Sequence, residues 1–374
     1  MQDHEPPQLA RVWRRAYTSG AMGQSLLTTA QRVALLRRYG RHPQAWAALQ
    51  PGVSFIDVDT EAGQAFVATR AALGVTIVLG DPTGAPAAID AVLDRVMSSS
   101  SSVLFFQVSE ALAERLRGRH GLATTPLGIE PIVDVATFSL RGRHKQALRS
   151  ANNHAARDQI TVAEVDAHRL DEEPARRWRQ TRRRRRLGFI VPPLRLRPDV
   201  PEAEADRRAF VATRGAETLG FVVFDPLYDD GRLVGFTPSV SCGSTRFRPG
   251  LWYVLVTAAI ARFQAEGITT VNLGLAPLAK LPSSSLSSSS SLSATSSVPV
   301  LLRAVFSLLW RFGLVYNFRG IAHAKSRFGG TPRSAWLAHR GALPWRALVA
   351  LWWVIATDPS SSSPTVHSTE NERS

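Results

Sequence analysis

The order of apolar and polar positions divides the chain into alternating helical and extended runs. An amphipathic helix is predicted over Ala30 to Tyr39, followed by strand-like runs at Val53 to Val58, Gln64 to Thr69 and Val75 to Leu79. The last of these stops at Gly80, Asp81 and Pro82, a turn, and a helix follows over Pro86 to Met97. Val103 to Val108 reads as a buried strand and Glu110 to His120 as an amphipathic helix. A second unit opens near Gly128, with a strand at Val133 to Leu140, a basic helix at Lys145 to Arg157 and a strand at Ile160 to Val165. Then come a helix at Leu170 to Arg185, a strand at Ala209 to Thr213 and an antiparallel pair, Thr218 to Phe224 and Arg232 to Pro238, joined through Asp229, Asp230 and Gly231. A helix over Leu251 to Glu266 leads into a strand at Thr269 to Gly274. The order of the first unit returns in the second, so the pattern implies an α/β protein with mixed sheets, covering helices and two related halves.

Composition adds bounds. A chain of 374 residues with 44% hydrophobic residues exceeds the usual size of one core. Serine runs at Ser98 to Ser102 and Ser283 to Ser297 have little to bury and read as mobile loops, and the tail from Pro359 to Ser374 has the composition of a disordered segment. The single cysteine, Cys242, cannot form an internal disulfide, and the first residues lack an apolar signal core, so a reducing, cytosol-facing location is expected.

The formal net charge is +15, and its excess is mostly arginine, whose planar fork suits phosphate. An anionic partner follows, nucleic acid or anionic lipid, since both present phosphates to a basic face. The strongest cluster is Arg176, Arg177, Arg179 and the run Arg182 to Arg186. Five consecutive arginines cannot share one side of a helix, so part of the run faces solvent or a phosphate backbone. No stretch reaches the roughly 20 apolar residues of a helical membrane span. Val298 to Leu314 and Leu343 to Ala356 are short, tryptophan-bearing and interrupted by arginine. Each fits either an ordinary core helix or a helix lying in a membrane interface.

Candidate chemistry gathers in two places. Ser244 to Gly250 (STRFRPG) sets Arg246 and Arg248 just before a proline and glycine at a helix start, an outline anion site or a solvated helix start. Tyr316 to Gly320 (YNFRG) precedes His323, Lys325 and Arg327 on a short helix that ends at Gly329 and Gly330, a functional cluster or a solvated basic helix. HExxH, GxSxG and P-loop patterns and paired cysteines do not occur, so no metal, cofactor or covalent nucleophile is indicated.

Five phrases, in order, resemble the synthase domain of phosphatidylglycerol lysyltransferases. They are Leu79 to Pro82 (LGDP); Leu127 to Glu130 with Phe138 to Gly142, Leu148, Arg149 and Asn153; Phe224 to Tyr228 (FDPLY); Leu273 to Leu278 (LGLAPL); and Tyr316 to Gly320 with His323, Lys325, Arg327 and Phe328. The resemblance covers roughly residues 30 to 345. It implies tandem acetyltransferase-like (GNAT-like) domains, taken as 28–126 and 127–358 with the serine-rich insertion 283–297, after an N-terminal extension 1–27 and before the tail 359–374. It also implies an aminoacyl-tRNA donor and a lipid hydroxyl acceptor such as phosphatidylglycerol, with no cofactor and no metal. Family members usually carry a membrane-spanning flippase, and none is read here, so a stand-alone synthase, peripheral at the inner face of the membrane, is expected. Within this frame Tyr316 and Asp225 are the candidate catalytic residues. Arg246, Arg248, Lys325, Arg327, Asn153 and Arg149 are the candidate substrate-binding residues. Where family synthases tend to carry an acidic residue and an arginine, this chain has Ser239, Val240, Ser241 and Cys242. The competing readings are an acyl-coenzyme A-dependent N-acyltransferase of the same fold and a non-catalytic membrane- or RNA-binding protein.

Overall fold

A computed structural model describes residues 25–170, 195–243, 250–277, 279, 318–341 and 345–356. The first half begins with helix α1 (Thr29–Tyr39), whose start is fixed by a capping box in which Thr28 and Gln31 satisfy each other's backbone N–H groups. Strands β1 (Ser54–Thr60), β2 (Gly63–Ala72) and β3 (Val75–Leu79) form an antiparallel meander, to which the short β4 (Thr83–Gly84) adds at β2. Helix α2 (Ile89–Ser99) returns the chain to β5 (Val103–Ser109), parallel to β3. Ser109 then caps helix α3 (Glu110–His120), which Gly121 ends in the left-handed conformation that a side chain resists. Strand β6 (Ala123–Asp134) follows.

The second half repeats this order. After helix α4 (Gln146–Arg157) come β7 (Ile160–Asp166), the short helix α5 (Pro201–Glu204), and the antiparallel run β8 (Arg208–Arg214), β9 (Glu217–Asp229) and β10 (Arg232–Gly243). Helix α6 (Leu251–Ala265) leads to β11 (Thr270–Asn272), parallel to β10 as β5 is to β3. Then follow β12 (Ala276–Pro277), α7 (Phe318–Ser326), β13 (Thr331–His339) and α8 (Trp345–Ala356).

All thirteen strands of the described residues join in one mixed sheet, with the path β1-β2-β3-β5-β13-β6-β11-β10-β9-β8-β7. Each half sends its last strand to the other. β6 pairs with β11 of the second half, β13 pairs with β5 of the first, and the two exchanged strands pair with each other at the centre. The predicted α/β class with a mixed sheet and two related halves is borne out. The exchange itself was invisible in the pattern.

Separate cores support the two halves. Under α2 and α3, Val92, Leu93, Val96, Leu112 and Leu116 pack on Val78, Phe105 and Val108. Under α6, Phe263 stacks on Phe236 at a centroid separation of 4.4 Å and meets Phe210 and Phe224 edge-on. Burial of such ring clusters is a leading contribution to stability.

Several boundaries differ from the sequence expectations, each for a local reason. The strand expected at Val133 to Leu140 lies earlier, at Ala123–Asp134, because the Asp134 carboxylate accepts from the N–H groups of Ala136 and Thr137 and turns the chain. The strand expected to run to Gly274 stops at Asn272, whose side-chain oxygen accepts from Gly274 N. Ser98 and Ser99 close α2, and Ser100 bonds to Thr76 and to the Ser102 carbonyl, so the first serine run is tied to the sheet. The arginine run, the long serine stretch, the tail, the segment Val298 to Leu314 and the residues Tyr316, Arg246 and Arg248 lie outside the described residues.

Candidate active site

The strand exchange places a buried carboxylate at the centre of the molecule. Glu130 sits on β6 directly opposite Arg333 on β13. Its side chain is 2% exposed and accepts from Gln107 of β5 (2.8 Å), Asn272 of β11 (3.0 Å) and Arg333 (2.9 Å). One carboxylate thus receives a donor from each half and a third from the exchanged strand. Burial alone would raise the Glu130 pKa, but the charges of His42 and Arg333 and the bonds from Asn272 and Gln107 outweigh it and hold the group below the usual carboxylate range.

Lys325, on α7, faces the end of β11. Its Nζ donates to the Leu275 carbonyl at 2.7 Å. The residue is half-buried, and desolvation of the ammonium outweighs the attraction of Glu130, so its pKa falls to about 7. Next to it is Gly274, at φ +74°, a conformation that favours glycine. A Cβ there would sit 3.6 Å from Lys325 Nζ and 3.9 Å from Thr237 Oγ1, so the glycine separates a lysine on α7 from a hydroxyl on β10. Gly128 has a different reason. A Cβ on it would lie 2.3 Å from the Ala276 carbonyl, and only a residue without one lets β12 close against β6.

The parallel pairs at the two centres differ. In the first half β3 and β5 stay paired through Leu79 and Phe106, and Gly80 N donates to the Phe106 carbonyl. His42 fills the space beyond, with its Nδ1 accepting from Gln44 N and its Nε2 4.0 Å from Asp81, while Gln44 bonds to Gln107. In the second half β10 and β11 share only Gly235–Thr270 and Phe236–Val271. Beyond that register β10 continues while β11 ends, so the parallel ladder opens after Phe236 and Val271, where Gly274 lies close to both Thr237 and Lys325.

Among the described residues singled out from the sequence, Lys325 alone stands beside this break in the ladder, bonded to the Leu275 carbonyl. Arg327 follows the last residue of α7, and its guanidinium meets the His323 ring at 2.8 Å. Asp225 is 2% exposed and forms a 2.8 Å ion pair with Arg207, on the strand beside β10 and in register with Thr237. Arg149 donates to the carbonyls of Leu140 and Gly142 and fastens that loop. Asn153 lies on the exposed side of α4. Gln107, Asn272, Arg333, Thr237 and His42 were not foreseen. Glu130 lay inside the second family-like phrase without a role.

The residues 33–339 match the family described as phosphatidylglycerol lysyltransferase, C-terminal, and the chain belongs to that family. A relative, the phosphatidylglycerol lysyltransferase of Bacillus subtilis, is 26% identical over 292 residues, which cover 71% of this chain and 30% of that protein. An uncharacterised protein of Corynebacterium glutamicum is 23% identical over 329 residues, covering 83% of this chain and 38% of that one. The chain therefore spans about a third of the length of these relatives. Two solved structures share the fold. L-PGS from Bacillus licheniformis superposes with a TM-score of 0.66 at 20% identity, over 89% of this chain and 98% of that one. The DUF2156 C-terminal domain of an Agrobacterium fabrum protein assigned as lysylphosphatidylglycerol synthetase gives 0.62 at 18%, over 88% and 96%. No group of three or more potential metal ligands occurs among the described residues.

Proposed function

We propose that the chain transfers an aminoacyl group from charged tRNA to the hydroxyl of a phosphatidylglycerol-like lipid, at the opening between β10 and β11 and at the inner face of the membrane. The observation that carries the reading is Lys325, a lysine with a pKa of about 7 beside an open parallel-strand pair, in a chain of the lysyltransferase family. The chemistry needs no cofactor because the aminoacyl ester is already activated. The lipid hydroxyl oxygen attacks the ester carbonyl carbon, its proton passes to neutral Lys325, and the carbonyl becomes a tetrahedral oxyanion. Collapse breaks the bond to the tRNA ribose oxygen, which takes the proton back from the ammonium. Two substrates held in one opening supply much of the remaining acceleration through orientation.

Glu130 stays ionised and positions the floor of the opening by fixing Asn272 and Arg333. The excess of arginine supplies phosphate contacts, with Arg246, Arg248 and Arg327 as the assigned donors and Tyr316 as a group near the reaction; Asp225, paired with Arg207, supports β9 instead. The test is transfer of labelled amino acid into extracted lipid, with and without ribonuclease. Loss of transfer on ribonuclease treatment is expected. Transfer that survives it, or that requires acyl-coenzyme A, contradicts the reading.

A further inference from the structure

We infer that Arg333 is a positioning residue for the transfer proposed above: clamped on Glu130, it holds both the carboxylate that faces Lys325 and the turn that carries the lysine's acceptor carbonyl. This rests on the reading of Lys325 as the proton carrier. Arg333 comes from the exchanged strand β13, where it stands opposite Glu130 on β6. Its Nη2 donates to Glu130 Oε2 at 2.9 Å, and the carboxylate is 2% exposed while the arginine side chain is 35% exposed. A carboxylate so deeply enclosed depends on its partners, because a buried charge left uncompensated is costly.

Two routes lead from Arg333 to Lys325. The first runs through bonds. Arg333 shares Oε2 with Asn272, whose Nδ2 donates to it at 3.0 Å, and an amide that donates there turns its oxygen to the other side. That oxygen accepts from Gly274 N at 2.9 Å and fixes the left-handed turn, one residue before the Leu275 carbonyl that receives Lys325 Nζ. The second route is charge. The attraction of Glu130 opposes desolvation of the Lys325 ammonium, and Arg333 together with His42 offsets the charge of Glu130. On the neighbouring elements Asp225 is paired with Arg207, Asp81 lies 4.0 Å from His42, Arg327 meets His323, and Lys145 donates to the Phe328 carbonyl beyond α7. Loss of the guanidinium leaves the Glu130 charge less compensated, so Lys325 should keep its proton to higher pH. Gln107 and Asn272 still donate to the carboxylate in that case, and Glu130 stays ionised.

The test compares the parent with Arg333→Gln, Arg333→Lys and Glu130→Gln by two readouts. One is the rising limb of kcat/KM against pH. The other is acetylation of Lys325 in the folded protein by acetic anhydride against pH, followed by mass spectrometry. Arg333→Gln is expected to shift both midpoints upward by about 0.5 to 1 pH unit, less than a directly contacting charge would. Arg333→Lys can restore the single charged bond and should return them to the parent's values, whereas Glu130→Gln should move them downward, because the lysine loses its carboxylate. An arginine with a merely structural role would lower the unfolding midpoint and leave both titrations in place. Unmoved titrations in folded Arg333→Gln, or a shift that Arg333→Lys does not reverse, overturn the proposal. Should Arg333→Gln not fold, Glu130→Gln decides, and an unmoved Lys325 titration there overturns it. If the parent transfers nothing to lipid, the proposed function fails, and the acetylation profile still decides the role of Arg333.

Discussion

The two halves carry the same strand order and differ at the place where chemistry is possible. In the first, the parallel pair β3 and β5 is closed by Gly80 N and the Phe106 carbonyl and filled beyond by His42, Gln44 and Gln107. In the second, β11 ends at Asn272, a left-handed glycine follows, and the gap is flanked by Thr237 and Lys325. On the function proposed above, one centre serves as a support and the other as the site. The exchanged strands connect them, because Glu130 takes Gln107 from the supporting half and Asn272 from the working half.

The largest disruption should come from the shared carboxylate. Glu130→Ala leaves Arg333, Gln107 and Asn272 facing a buried void, and breaking a buried charge pair in this way costs about 3–5 kcal/mol. Denaturant unfolding should show that loss, and Glu130→Gln, which keeps the shape, should show less. If Glu130→Ala were as stable as the parent, the two halves would not depend on this carboxylate.

Lys325→Met separates activity from stability. Removal of a general base should lower transfer about 10²- to 10⁴-fold. The same change should stabilise the protein. A lysine whose folded pKa lies near 7, against 10.5 unfolded, binds fewer protons when folded, so its unfavourable contribution is complete below pH 7 and is relieved as pH rises from 7 to 10.5. At pH 7 the gain should be on the order of 2 kcal/mol, less than the whole shift implies because the residue keeps some solvent contact. Unfolding midpoints from pH 7 to 10.5 should rise in the parent and stay level in the variant with respect to this group.

Gly274→Ala probes the gap more narrowly. The positive φ makes any side chain strained, at a cost of about 1 kcal/mol, and the new methyl would narrow the space between Lys325 and Thr237. KM should rise more than stability falls. The smallest effect on transfer is expected in the supporting half, where His42→Gln should change the transfer rate by less than the Gly274 variant does. A His42 variant as inactive as Lys325→Met would erase the distinction between the halves.

Much of this architecture was legible. The 3.6-residue pattern located α1, α2, α3, α4 and α6, and the alternating runs located most of β1, β2, β3, β5 and β7 to β10. β6 was displaced because Pro126, Gly128 and Pro131 interrupt an otherwise apolar run, and a strand tolerates them here only through a bulge and a close approach to β12. β13, which begins Thr331, Pro332, Arg333, was not read as a strand for the same reason. Because these two strands are the exchanged pair, the site they build was hidden with them. Lys325 was found through its family-like phrase, and the function proposed above gives it another role. Sequence assigned it to phosphate, whereas its position beside the Leu275 carbonyl and its desolvation fit a proton carrier. Asp225 was singled out through its phrase as well, and the structure buries it in an ion pair with Arg207.

Whether Lys325 is the proton carrier is read from the pH dependence of transfer. With kcat/KM measured from pH 5.5 to 9 on one lipid and one charged tRNA, the free enzyme's essential base is read from the rising limb. A limb with an apparent pKa of about 7 is expected in the parent, and its disappearance in Lys325→Arg, whose guanidinium keeps charge but does not titrate in that range. A parent profile without that limb, or the same limb retained by Lys325→Arg, would contradict it.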